Sequence, residues 1–312
     1  MQRLFLLCST ISIVALPGLA LGQSQGIEWQ RDVTAAVALA KRTERPLMFY
    51  VVGSTSDRPD DVEKDQRRSF RDARVMQQAR RFVPVRLARS QHVDQLKKWG
   101  VNPNANLDVI FTWPDGTRID QISASGAGIP ESFAQKMAMV FNQYRNEVFA
   151  QKLRPMLDNT EATAREIRAA LKQIDDFLIL AADGTLASLL EREKLDAGVK
   201  PDIYKTLANL STPTAVDALL KAARAGDQNA IKVLDACTPE AAERMLEDVG
   251  SSEPARHLLA YKTVTKICRL KNVKPDKFWD GVNQRVKDEE IERVRNEVRH
   301  IAGRWKEQNE WR

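Results

Sequence analysis

Three groups of residues in this 312-residue chain carry side chains that could do chemistry. The first is a polar loop, Gly53-Ser54-Thr55-Ser56-Asp57-Arg58-Pro59-Asp60-Asp61-Val62. Its three aspartates and three hydroxyls offer oxygen ligands to a hard cation, but the central glycine and closing glutamate of a calcium loop are missing. Helix capping explains the same residues, because Pro59 suits a first helical turn and Asp60 and Asp61 favour the positive end of a helix dipole. The second group is the histidines, His92, His257 and His300, which lack metal-ligand spacing; His257 lies in an apolar helical run and reads as a core residue. The third is the cysteines Cys8, Cys237 and Cys268. Zinc-protease, nucleotide-loop, dinucleotide and nucleophile-elbow motifs are all missing, so no catalytic, metal or cofactor-binding residue is assigned and no cofactor is expected.

The compartment follows from the first residues. Arg3 precedes an apolar run from Leu4 to Ala15, and Ala20 and Gly22 place small residues where a signal peptidase cuts, giving a predicted signal peptide over 1–22. The run is too short, and too soon followed by Pro17-Gly18, for a membrane span of about 20 apolar residues. The expected protein is therefore periplasmic or secreted, with no transmembrane segment after cleavage. An oxidising compartment permits a disulfide between Cys237 and Cys268, whereas two buried apolar thiols are the alternative.

Composition is that of a soluble globular chain, 43% hydrophobic and 29% charged, with a formal charge of +6 of which Arg3 supplies one. An arginine-rich segment, 64–98, suggests attachment to an anionic surface. Asp65, Asp72 and Asp94 interleave it, so a solvated basic face explains it as well, and the leader disfavours nucleic acid as partner.

The elements that must position these groups divide the chain. Trp29, Val33, Val37 and Ala40 recur at helical spacing over 27–43, ending before Arg45-Pro46. Leu47 to Val52 is apolar throughout, as in a strand covered on both faces. A helix to about Arg68, a second ending near Arg81, a parallel strand over 82–87 and a short helix over 92–99 closed by Gly100 follow. Strands over 107–112 and 118–122 flank the Trp113-Pro114-Asp115-Gly116 turn. Pro130 opens a long helix that Pro155 ends or kinks.

This order resembles a thioredoxin-like fold over about 27–144. The resemblance is carried by the lead-in from Trp29 to Pro46, by Phe70-Arg71-Asp72-Ala73-Arg74-Val75, similar to the family's F-x-D-x-x-V, and by Phe111-Thr112-Trp113-Pro114-Asp115-Gly116. It implies an α/β domain over 23–150 with a mixed central sheet flanked by helices. It also implies that the family's redox cysteine positions fall on Pro59 and Val62 and its cis-proline on Leu107. Thiol exchange requires a thiolate, so a thiol-disulfide oxidoreductase is excluded on this reading.

The rest, 151–312, is expected to be an all-α domain. Ile167, Leu171, Ile174, Leu178 and Ala181 keep helical spacing, with Asp183-Gly184 a stop. Thr212-Pro213 and Thr238-Pro239 open two similar runs, each a hydroxyl cap followed by a first-turn proline, which resemble short HEAT-type repeats or are two independent helix starts. Ile291, Val294, Val298, Ile301 and Trp305 form a seam about two heptads long, suited to packing on its own domain. The function expected is a non-catalytic extracytoplasmic binding or scaffolding protein with a protein partner. The alternatives are an enzyme using the 54–61 loop together with the Asn102-Pro103-Asn104-Ala105-Asn106 loop, and electrostatic attachment through 64–98.

Overall fold

A computed structural model describes residues 26–52, 68–101 and 108–309. The signal-peptide reading, the 54–61 loop, Pro59, Val62 and Leu107 lie outside the described residues. Four strands, β1 (Leu47–Val52), β2 (Val83–Ala88), β3 (Val109–Thr112) and β4 (Arg118–Ile122), form one sheet in the order β2-β1-β3-β4. β1 runs parallel to β2 and antiparallel to β3, and β3 pairs with β4 across the Pro114-Asp115-Gly116 turn. Gly116 has φ +91, the left-handed conformation that glycine adopts without strain.

β1 is apolar throughout because it is covered on both sides. Leu47, Phe49 and Val51 face a small core with helices α1 (Val33–Thr43) and α3 (Val93–Lys98). Met48, Tyr50 and Val52 face the larger core, where α2 (Ala73–Ala79) and the long helix α5 (Pro130–Val148) pack. A short turn of helix, α4 (Ala124–Ala127), which the apolar pattern did not announce, joins β4 to α5.

The helix expected from Ile27 begins later, at Val33, where the Asp32 carboxylate accepts from the Ala35 N–H at 3.0 Å. Before it, Gln30 bridges in parallel to Val85 beside β2. Trp29 serves the opposite face of the sheet from α1, its ring 5.4 Å from Tyr50 and 5.2 Å from Phe70. Its match to the helical spacing is therefore accidental.

Helix α5 carries the chain out of the sheet. The helix continues past Pro155 into α6 (Arg154–Asp158) after a π-helical turn, Phe149–Leu153. A proline clashes with the carbonyl four residues back, and a widened turn is one of the few ways a helix accommodates that. Then follow α7 (Ala164–Phe177), α8 (Asp183–Leu190), α9 (Lys200–Leu210), α10 (Pro213–Arg224) and α11 (Gln228–Leu234). The chain ends in α12 (Pro239–Ala242), α13 (Leu246–Val249), α14 (Pro254–Ile267), α15 (Asp276–Gly281) and α16 (Gln284–Gln308). Asp183-Gly184 opens α8 rather than stopping α7. The stop is Leu178, whose φ of 49 turns the chain while the buried Arg145 guanidinium on α5 donates to the Phe177 carbonyl at 3.3 Å and to that of Leu178.

One apolar core runs through both regions. Phe141 on α5 sits 6.0 Å from Phe82 before β2 and 6.1 Å from Phe177 at the end of α7, with the Arg81 guanidinium over its ring. The Tyr144 hydroxyl donates to the Glu44 carbonyl. Among α7 to α11, each helix packs against the one two places along. α16 buries Val294, Val298 and Ala302 and packs on α12 and α14, its own region.

Candidate functional site

Two places in the fold gather the chemistry the sequence offers. At the first, the ends of β1 and β2 converge with the start of β3. The Val51 N–H donates to the Asp108 carbonyl at 3.1 Å, so Val52 and Asp108, the anchors of the two loops suggested for an enzyme site, adjoin. Ligand sites in α/β sheets lie at this carboxyl end of parallel strands. Asp108 is half-buried, and burial pushes its carboxyl above the ordinary value although the Ala124 N–H and Arg89 oppose the shift.

The second place is a groove of about 370 Å³ in the helical region. Leu180, Leu210, Pro213, Ala241 and Trp305 make it largely apolar, and Glu240, Arg244, Lys306 and Asn309 supply a polar rim. Local sequence explains how it forms. Ser211 takes φ 53 after α9 and turns the chain sharply. Thr212 then caps α10, its hydroxyl accepting from Ala215 N–H at 3.2 Å and donating to Asp183 at 2.7 Å. The second Thr-Pro start is fastened to the first, because the Thr238 N–H donates to the Ser211 hydroxyl at 3.0 Å. The two similar runs are thus neighbours in space, and α16 closes the groove with Trp305 and Lys306.

The copies are not equivalent. Thr212 caps an unbroken helix, whereas the Thr238 hydroxyl accepts no capping bond and its run breaks into α12, a 3-10 turn over Glu243–Met245, and α13. Leu219 and Leu220 of the first and Met245 and Leu246 of the second are all buried, so the apolar register survives the break.

No protein-family profile, curated protein sequence or solved structure matches this chain. What the groove can do follows from its own residues. Both cations on its rim are paired, Arg244 with Asp217 at 2.6 Å and Lys306 with Glu243 at 2.9 Å. An apolar floor ringed by paired charges and amides suits an apolar side chain flanked by peptide groups. Sequence reading missed the groove because its walls come from four separated stretches; the shared Thr-Pro starts and the position of Trp305 on the seam are the signals that point to it.

Described cations of the arginine-rich segment lie on both sides of the sheet. Arg74 pairs with Asp72, Arg81 lies over Phe141 on the α5 side of the sheet, and Lys97 and Lys98 ride on α3 on the other side. Among the described residues, no cluster of His, Cys, Asp and Glu could hold a metal ion, and no helix is long and apolar enough to cross a membrane.

Cys237 and Cys268 are buried free thiols, and burial pushes them up to about 12 and about 11. A thiolate is the reactive form, so the native chain should not react with an aromatic disulfide reagent at about pH 8. After denaturation without reductant both should react. Absence of both thiols after denaturation would show that the pair is bridged.

Proposed function

We propose that the protein is a non-catalytic binding or scaffolding module acting outside the cytoplasm, and that the groove between the two Thr-Pro starts and α16 receives an apolar side chain of a protein partner. The sheet region serves, on this reading, as a thioredoxin-like platform without its redox pair. In support, the sheet order, with β1 central and parallel to β2, suits that fold, and the sequence holds no cysteine between Cys8 and Cys237. The helices behind it act as a short HEAT-like array, whose use is to offer extended surface. The observation that carries the reading is the convergence of two sequence-related helix starts on one preformed, mostly apolar groove.

The reading is tested with point variants of the whole chain, because the core is continuous through α5 and removing the helical region would expose Phe141 and Tyr144. Trp305→Ala and Arg244→Glu should each weaken partner capture at least about tenfold, as loss of an interface anchor does, while circular dichroism stays unchanged. Capture undiminished by both would place binding elsewhere. Asp108 favours a second reading, an acid-base site at the strand ends; an activity lost in Asp108→Asn but kept in Trp305→Ala would select it.

A further inference from the structure

We propose that His257 is an acid-sensitive latch, and that protonating it releases α15 and, with it, the seating of α16 beside the groove. The geometry rests on three rings. His257 on α14 is fixed by its Nδ1–H, which donates to the Val249 carbonyl of α13 at 2.6 Å. Its ring meets Trp279 of α15 nearly edge-on, with centroids 4.1 Å apart and planes at 70°. Tyr261, one turn along α14, lies 4.9 Å from Trp279; its oxygen accepts from the Lys274 N–H at 2.8 Å and its hydroxyl donates to Glu290 of α16 at 2.7 Å. The rings therefore join α13, α14, α15 and α16 at one point.

His257 and Trp279 are each only 7% exposed, and neither His257 Nε2 nor Trp279 Nε1 has a hydrogen-bond partner among the described residues. Since Nδ1 already donates, the only place for an added proton is Nε2. The proton would create a buried N–H without an acceptor and a buried charge without a counter-ion, both costly.

The charged groups around the site do not offset that cost. On α13, Asp248 is taken by Arg224 and Arg256, and Glu247 is exposed. On α14 itself, Arg256 serves Asp248, Lys262 pairs with Asp276 of α15, and Glu253 at the helix start is exposed. On α15, Lys277 and Asp280 are exposed. On α16, Glu290 is occupied by Tyr261 and Arg293, and Lys287 repels a new positive charge.

Burial, the main cause, holds the His257 imidazole below its ordinary value, which agrees with the geometry. The neutral ring then contributes stability above the unfolded value of about 6.5, and that contribution is lost as pH falls below it towards the folded value. Release would free α15 and loosen the helix that carries Trp305 and Lys306, so this latch acts on the groove invoked above. It can be tested without any partner, so the latch and the binding reading fail independently.

The test is hydrogen exchange of the full chain at about pH 7.5 and about pH 5, corrected for intrinsic rates, together with NMR titration of the His257 ring. Residues 274–309 should lose at least about tenfold protection at the lower pH, in step with His257 titrating below about 6.5. His257→Phe, which keeps a ring but cannot titrate, should abolish the pH dependence. Protection that is equal at the two pH values, or a loss that persists in His257→Phe, would overturn the proposal. So would His257 titrating at or above its ordinary value, because the Trp279 ring would then be holding the cation.

Discussion

Phe141→Ala is expected to lower the unfolding free energy of the chain by about 3–5 kcal/mol, the cost of emptying a large aromatic site in a packed core. Phe141 is nearly fully buried and touches rings from both regions, Phe82 beside the sheet and Phe177 at the end of α7. The cavity would therefore weaken both. Thermal or denaturant unfolding followed by tryptophan fluorescence and by far-ultraviolet circular dichroism should show one transition in the parent and one, shifted together, in the variant. Two separated transitions, with only one moved, would mean that the sheet and the helices unfold independently.

Asp248→Ala should be the next largest loss, about 2–3 kcal/mol. Breaking a buried ion pair costs about 3–5 kcal/mol when the abandoned charge stays dry. Here the side chain of Asp248 is only 3% exposed, but its partners Arg224 and Arg256 are 40% and 33% exposed and keep part of their hydration, which lowers the figure. The carboxylate joins three helices, because Arg224 closes α10, Asp248 lies on α13 and Arg256 on α14. Burial works against its charge, but hydrogen bonds from Arg256 and Arg224 outweigh that and hold its carboxyl below the ordinary value. The linkage sign follows. Its contribution is present above the unfolded value of about 4 and is lost as pH falls through the lower, folded value. Chemical denaturation at neutral pH and again near about pH 3 should therefore show parent and Asp248→Ala converging in acid; an equal gap at both pH values would refute the assignment.

Much of the fold was legible because its signals are local. Leu47 to Val52 declares a doubly covered strand by composition, Pro114-Asp115-Gly116 supplies the dihedrals of its turn, and Thr212 and Asp227 name their helix starts through side-chain capping bonds, one at Thr212 and two at Asp227. The misreadings share a different cause. Trp29 fits a helical spacing yet packs across the sheet, Asp183 suits a helix end as well as a beginning, and Pro155 is carried by a widened turn that only α5 and its packing determine. Thr238-Pro239 matches Thr212-Pro213 in sequence but opens only a broken helix, and its hydroxyl takes no capping bond. Of the candidate site, the sequence named the Thr-Pro starts and Trp305 separately. Nothing local says that residues near 180, 211, 241 and 305 share a wall. Pro59, Val62 and Leu107, which the resemblance marks as degenerate redox-site positions, lie outside the described residues, as do the two loops of the enzyme alternative.

The most direct test of binding through the groove is site-specific photocrosslinking in the full chain. A photoreactive residue replaces Arg244 on the groove rim, and a control replaces Met139, which is 58% exposed on α5 of the sheet region. Incubated with whole extract of the source cells and their medium, the position 244 probe should give a discrete, saturable protein adduct that Trp305→Ala reduces at least about tenfold, with none from position 139. Adducts of equal yield at both positions, or an adduct at 244 indifferent to Trp305→Ala, would contradict a partner seated in the groove.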